Sequence, residues 1–240
     1  MDKKLEQLKL VKLTFIEKVE ETENTMTFKF EVPEGFNWTE GTHFHLAFKD
    51  FYEGEKPDKK KVRTFSIMSL EEEKYIGFTT RITKECSAYK KRLLELNPGD
   101  EMLMFKTGNR MMLRRENRPL VLISMGVGVA TFRPLIKTFL QNKEGIKEVI
   151  QINIDSSENF LYKEELTRLE EEGFKNSFSP SRKDLYEQID ASIKREKPIY
   201  YVVGSDAFIK AICGYLRGQS VENGDIVIDK NPEKAKLFYE

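Results

Sequence analysis

Up to about residue 115, apolar side chains recur at every second position in short runs, the period of a strand with one buried face. The runs fall at 10–16, 26–32, 44–48, 63–67, 75–82 and 102–105. Turn residues separate them, as in Pro33-Glu34-Gly35 and Asn97-Pro98-Gly99-Asp100. Six such runs predict a six-stranded antiparallel barrel. The exception is 87–96, whose spacing predicts one short helix started by Ser87. After residue 118 the rhythm changes to strands near 119–124, 148–154, 174–178, 199–203 and 225–228, with helices near 130–142, 161–172, 184–195 and 205–217. That alternation predicts a doubly wound five-stranded parallel sheet. The polar segment Arg114-Arg115-Glu116-Asn117-Arg118 lies at the change. It divides the chain into a β domain, 1–115, and an α/β domain, 116–240.

A length of 240 residues with 39% hydrophobic positions is enough to build two cores. Forty Lys and Arg balance forty Asp and Glu, so net charge gives no support to nucleic-acid binding or to adhesion on anionic membranes. No apolar run is long enough for a membrane span, and residues 1–12 alternate charge with isolated leucines, unlike a signal peptide. A cytoplasmic location is therefore expected. Cys86 and Cys213 are too few for a Cys-only iron–sulfur or zinc site, and two free, mostly buried thiols are expected. His43 and His45 share one face of a strand. They lack further ligands in the sequence, so no metal is expected.

The apolar run ending at residue 125 leads into Gly126-Val127-Gly128 and then helical spacing, and the fourth strand of the α/β half leads into Gly204-Ser205. Ligands of open parallel sheets bind outside the carboxyl ends of the strands, where glycine lets a phosphate approach the backbone and a helix N-terminus attracts it. By itself the pattern is short of the usual dinucleotide fingerprint, because Thr131 stands where a third glycine would fall. In the first half, Arg63-Thr64-Phe65-Ser66 joins a phosphate clamp, a ring for a flat heterocycle and a hydroxyl for a ring nitrogen. The same four residues also fit an ordinary strand with Phe65 in the core and Arg63 at its edge. Ser87 fits either a phosphate contact or a plain helix cap.

The order Arg-x-aromatic-Ser, a Ser-started helix, Gly-x-Gly-x-x-x-Phe-Arg and Gly-Ser resembles the ferredoxin–NADP reductase family from about residue 8 to 230. The resemblance implies an FAD-binding barrel followed by an NAD(P)-binding domain. Arg63 would then contact the flavin pyrophosphate, Phe65 would pack on the flavin, and Ser66 would act near flavin N5 as the catalytic hydroxyl. Ser87 would hold a second phosphate oxygen, with Thr80, Arg81 and Ile82 along the flavin. Gly126, Val127 and Gly128 would cradle the nicotinamide nucleotide, with Gly204 and Ser205 beside the nicotinamide. This sequence departs from the family at Phe65 (commonly Tyr), Ala130-Thr131 (commonly Thr-Pro), Val203 (often Cys) and Lys84 (often Gly).

Ser181 and Arg182 resemble the family's Ser-Arg pair for a ribose 2′-phosphate, whereas Asp155 after the second strand of the sheet suits a free 2′-hydroxyl. NADPH is the favoured donor and NADH the alternative. A plain helix cap at Ser181, with Arg182 and Lys183 on a solvated face, is the simpler use of those residues. Lys56, Lys59, Lys60, Lys61 and Arg63 form a basic loop that is either simply solvated or a place where an acidic ferredoxin or flavodoxin could dock. The aromatic tail, Phe238 and Tyr239, either stacks on flavin or packs on the sheet. The expected activity is hydride transfer from NAD(P)H to FAD and electron transfer onward to a separate acceptor. Alternatives are an oxygenase reductase component, a flavin or ferric reductase, and a non-catalytic nucleotide-binding module.

Overall fold

In the computed structural model, residues 9–53 and 56–239 are described. The start of the β domain at 1–8, two residues of the 51–61 loop and Glu240 lie outside them. The chain divides into two compact units, one ending at Asn109 and the other beginning at Arg110. This division precedes the polar segment 114–118. Met111 and Leu113 are buried. Tyr201 Oη also ties this stretch to the second unit, accepting from the Arg114 N–H at 2.9 Å and donating to the Met112 carbonyl at 2.8 Å.

The first unit contains β1 (Val11–Thr22), β2 (Thr25–Phe30), β3 (Thr42–Phe48), β4 (Val62–Ser66), β5 (Ile76–Arg81), α1 (Ala88–Leu94) and β6 (Glu101–Asn109). Its six strands are hydrogen-bonded in the order β4-β3-β6-β1-β2-β5, and every pair is antiparallel. The end strands β4 and β5 meet through side chains. The Phe65 and Phe78 rings stack with centroids 3.9 Å apart, and the Met68 N–H donates to the Gly77 carbonyl at 2.8 Å. Inside lie Phe15, Phe28, Phe30, Phe44 and Phe78 with Leu13, Leu46 and Met104. Each such side chain stabilises the fold by roughly 1.5–3 kcal/mol on burial. β1 extends past the predicted end at residue 16. Its charged residues Glu17 to Glu20 carry little apolar pattern, but pairing with β2 satisfies the backbone whatever the side chains are.

The second unit contains β7 (Arg118–Met125), α2 (Val129–Gln141), β8 (Ile146–Ile154), α3 (Lys163–Arg168), β9 (Phe174–Ser179), α4 (Arg182–Ile193), β10 (Ile199–Val203), α5 (Asp206–Gly218), β11 (Ile226–Ile228) and the short α6 (Pro232–Ala235). The sheet is fully parallel in the order β11-β10-β7-β8-β9. On one face Val121, Ile123, Ile152 and Val202 pack with Leu185 and Ile189 of α4 and Ile209, Ile212 and Leu216 of α5. The opposite face carries Leu122, Gln151 and Tyr201, the alternate residues of the same strands. α3 is shorter than the predicted 161–172. Gly173 at φ +90° and the bridge from Glu171 to Phe174 turn the chain directly into β9.

Candidate functional site

β4 and α1 bring the flavin-motif residues of the first unit together. Arg63 donates to the carbonyls of Lys60 and Val62 at 3.1 and 2.6 Å, and its guanidinium lies over the Tyr89 ring at 5.1 Å. Tyr89, one residue inside α1, is buried and donates its hydroxyl to the Leu46 carbonyl at 3.0 Å. Burial pushes its phenol far above the ordinary tyrosine range. Ser87 caps α1 by accepting from the Lys90 N–H at 3.4 Å. From the same turn the half-buried Lys90 ammonium donates to the Arg81 carbonyl at 2.6 Å. Its pKa is lowered first by burial, with Cys86 opposing, and then by the charges of Arg63 and Arg81. The charges of Arg63 and Arg81 therefore act on Lys90 at the start of α1, beside the capping Ser87 hydroxyl.

The other sequence-predicted members stand as follows. Phe65 is half-buried and belongs to the aromatic stack with Phe78 and Phe44. Ser66 lies on the opposite face of β4, half-buried. Thr80 is buried, Arg81 is exposed at the end of β5, and Ile82 donates its N–H to the Asn24 carbonyl at 2.6 Å. In the basic loop, Lys56, Lys59 and Lys60 are exposed, but Lys61 is bound to Asp50 at 2.7 Å. Arg92 also grips Asp50 at 3.1 Å and lies 3.9 Å over Phe48. The Lys61 hydrogen bond, followed by Arg92, holds the Asp50 carboxyl below its usual range.

In the second unit the two glycine motifs sit side by side at the carboxyl edge of the sheet. Gly126, at φ +54°, opens a 3₁₀ turn through Val127 and Gly128 into α2. A Cβ on Gly128 would stand 2.9 Å from the Val203 carbonyl oxygen, and one on Gly204 would stand 2.6 Å from Phe208 Cδ1. Asn153, at the end of β8, donates to Ser124 Oγ at 2.9 Å and to the Gly126 carbonyl at 3.1 Å, fixing the turn from below. Ser205 caps α5 by accepting from the Phe208 N–H at 3.2 Å. Beside it Lys230 bonds Asp206 at 3.0 Å and lies 3.5 Å from Asp229, whose carboxyl burial raises above its ordinary pKa.

The adenosine-end candidates are on neighbouring strand ends. Asp155 is buried, and its Oδ1 accepts from the N–H and hydroxyl of Ser157 at 3.0 and 2.7 Å. Ser181 caps α4, accepting from the Asp184 N–H at 3.2 Å and donating to the Asp184 carboxylate. Arg182 is exposed in the first turn of that helix. Phe238 is buried against the α4/α5 face of the sheet, and Tyr239 donates to the Ile226 carbonyl at 2.8 Å. Both aromatic residues of the tail thus pack against the second unit's sheet, Phe238 buried and Tyr239 half-buried.

The sequence pointed to neither Lys90 nor Asn153. Lys90 lies three residues after Ser87, the spacing that places a side chain above a helix start. Asn153 breaks the apolar pattern of β8 next to the glycine turn. A further ion pair, Arg133 to Glu165 at 2.7 and 2.8 Å, joins α2 to α3 with Arg133 buried. Among the described residues, no cluster of three His, Cys, Asp or Glu could hold a metal ion, and no helix is long and apolar enough to cross a membrane.

No protein-family model matches the sequence, and no curated protein matches it. Solved structures do match the fold. A ferredoxin–NADP+ reductase from Neisseria gonorrhoeae, with FAD and NADP bound, has a TM-score of 0.75 at 18% identity, covering 92% of this chain and 98% of that one. A cytochrome P450 reductase from Amycolatopsis gives 0.74 at 17% identity, over 92% of this chain and 70% of that one. The CS-b5R domains of human Ncb5or, in the NAD+ form, give 0.73 at 16% identity, over 93% and 70%. What the chain shares with these proteins is their architecture: it has the fold of the ferredoxin reductase-like proteins.

Proposed function

We propose that the protein is a flavin-dependent NAD(P)H oxidoreductase that passes electrons to a separate acceptor. The carrying observation is the start of α1, where Ser87 caps the helix, Lys90 binds the Arg81 carbonyl, and the Arg63 guanidinium lies over the Tyr89 ring. Like charges so gathered repel one another, and a phosphate group between them removes that repulsion while accepting charge-assisted hydrogen bonds. The donor set fits the pyrophosphate of FAD. Arg63 would exchange its carbonyl partners for a phosphate, and Ser87 would add its hydroxyl. Phe65 would supply an aromatic face, and Ser66 a hydroxyl to the reacting edge of the flavin. Bound FAD would accept a hydride and release electrons singly or in pairs, while the protein contributes positioning and electrostatics.

The nucleotide half of the reading rests on the glycine turns at the carboxyl edge, where the 126–128 turn would take the NAD(P)H pyrophosphate. Arg182 is exposed and Asp155 is engaged by Ser157, so NADPH is the preferred donor and Arg182 the group that reads the 2′-phosphate. The acceptor is a small acidic redox protein or oxygenase component meeting the exposed lysines 56, 59 and 60, or a small molecule. Stopped-flow mixing of the FAD-loaded protein with NADPH and NADH tests the reading. Flavin bleaching is expected with both and faster with NADPH. A protein that retains no flavin, or whose flavin neither nucleotide bleaches, overturns it in favour of a nucleotide-binding module.

A further inference from the structure

β8 is covered on both faces, and one of them is polar where a parallel strand ordinarily carries apolar residues. Gln151 and Asn153 alternate with Ile150, Ile152 and Ile154, and both amides are fully buried. A buried amide is costly unless its polar atoms are bonded. Both polar atoms of the Gln151 side chain lack a hydrogen-bond partner among the described residues. Asn153 is used differently. Its register places it between Ser124 of β7 and Phe178 of β9. Its Nδ2 donates to Ser124 Oγ at 2.9 Å and to the Gly126 carbonyl at 3.1 Å, one bond to the end of β7 and one to the glycine turn. That carbonyl also accepts from the Val129 N–H, which closes the turn. Because Asn153 is fully buried, the Gly126 carbonyl is held towards the interior of the unit. The carbonyl and N–H of a trans peptide point in opposite directions, so the N–H of the half-buried Val127 is turned outwards at the carboxyl edge.

Building on the nucleotide reading, we propose that Asn153 is the positioning residue of the glycine turn: it fixes the direction in which Val127 presents its N–H to the pyrophosphate of NAD(P)H. Gly126, at φ +54°, has the freedom of a glycine, so the turn alone tolerates more than one orientation of the 126–127 peptide. The Asn153 amide selects one of them, since rotating the peptide would strip a buried N–H of its acceptor. The selected orientation aims a donor at an anion beside the N-terminus of α2, whose dipole favours the same charge. A turn held in this way before the ligand arrives binds with a smaller ordering cost. Gln151, two residues earlier on the same face, has no bond to the turn and is the internal comparison.

Isothermal titration calorimetry with NADP+, NAD+ and 2′-AMP tests the proposal, because 2′-AMP keeps the adenosine and the 2′-phosphate but has no pyrophosphate. Asn153→Leu, close in size and without a donor, is expected to weaken NADP+ and NAD+ about 10-fold, the loss of one well-aimed hydrogen bond to a charged group, while 2′-AMP stays within about 2-fold. Gln151→Leu is expected to keep all three within about 2-fold. Native NADP+ affinity in Asn153→Leu overturns the proposal. So do equal losses for NADP+ and 2′-AMP, or equal losses in the two variants, each the mark of a general packing defect. The native chain supplies a measurement that needs no variant to fold. In isotope-labelled protein, saturating NADP+ is expected to shift the Val127 amide NMR resonance and 2′-AMP to leave it in place. A Val127 amide that NADP+ does not move overturns the proposal. A native chain that binds neither NADP+ nor NAD+ overturns it together with the nucleotide reading, and that failure is seen before any variant is made.

Discussion

The two candidate cofactor sites differ in how much the fold itself needs their residues. In the second unit the motif glycines are required by the chain: Gly128 lets α2 approach the Val203 carbonyl, and Gly204 makes room for Phe208. Ser181 and Ser205 are likewise helix caps, and Asp155 closes a local turn. In the first unit Arg63 is held by backbone carbonyls and the Tyr89 ring and Lys90 by the Arg81 carbonyl, while the charges of Arg63 and Arg81 act against the Lys90 ammonium. A motif explained by packing says less about a ligand than one the packing leaves unexplained. The second unit's motif residues thus serve packing and capping, whereas the first unit's motif gathers charges that oppose one another.

Gly128→Ala tests this contrast with the largest effect. Its new Cβ meets backbone, which cannot swing aside, and the flavin-free, nucleotide-free protein should lose about 2–3 kcal/mol. Melting would fall by roughly 5–10 °C for a chain of this size. An unchanged melting temperature with lost nucleotide binding would reverse the contrast, making the glycine a ligand residue alone. Arg63→Ala should do the opposite, keeping apoprotein stability within about 0.5 kcal/mol. Its flavin affinity, read by fluorescence titration, should weaken about 10- to 100-fold as one charge-assisted contact is lost. A destabilised apoprotein would show that the fold needs this cation after all.

Arg182→Gln should raise KM for NADPH about 10-fold while leaving KM for NADH within about 2-fold. Equal effects on the two would make Arg182 part of a solvated helix face. The smallest effect concerns the tail. Burial, with a contribution from Cys213, pushes the Tyr239 phenol up to about 12, above an unfolded value near 10. Its contribution to stability is thus complete below pH 10 and is lost as pH rises from 10 towards 12. Denaturant midpoints measured across that window should fall less steeply for Tyr239→Phe than for the native chain. Identical slopes would remove the tail from the second unit's core.

Periodicity was enough to identify the six strands, the five strands and most helices, because alternation and helical spacing are local consequences of one buried face. It missed the charged half of β1, where pairing with β2 rather than apolar pattern holds the strand. It overextended α3, because the Glu-rich stretch before Gly173 looks helical until the chain turns there. Arg63, Ser66 and Ser87 were readable as a polar set interrupting an apolar strand and starting a helix. Lys90 and Asn153 were not, since their roles come from neighbours across the fold, Arg81 and the Gly126 turn.

By itself the sequence determined the two-part organisation, the strand and helix order and the positions of the motifs. All of these depend on residues close together in the chain. Only the tertiary structure decided which motif residues serve packing and capping and which charges act on one another. It also assigned Phe238 and Tyr239 to the sheet and set Asn153 against the Gly126 turn. The physical reason is that these outcomes depend on strand register and on contacts across the sheet. A local pattern of apolar and polar residues narrows the register but leaves the partner of each side chain open.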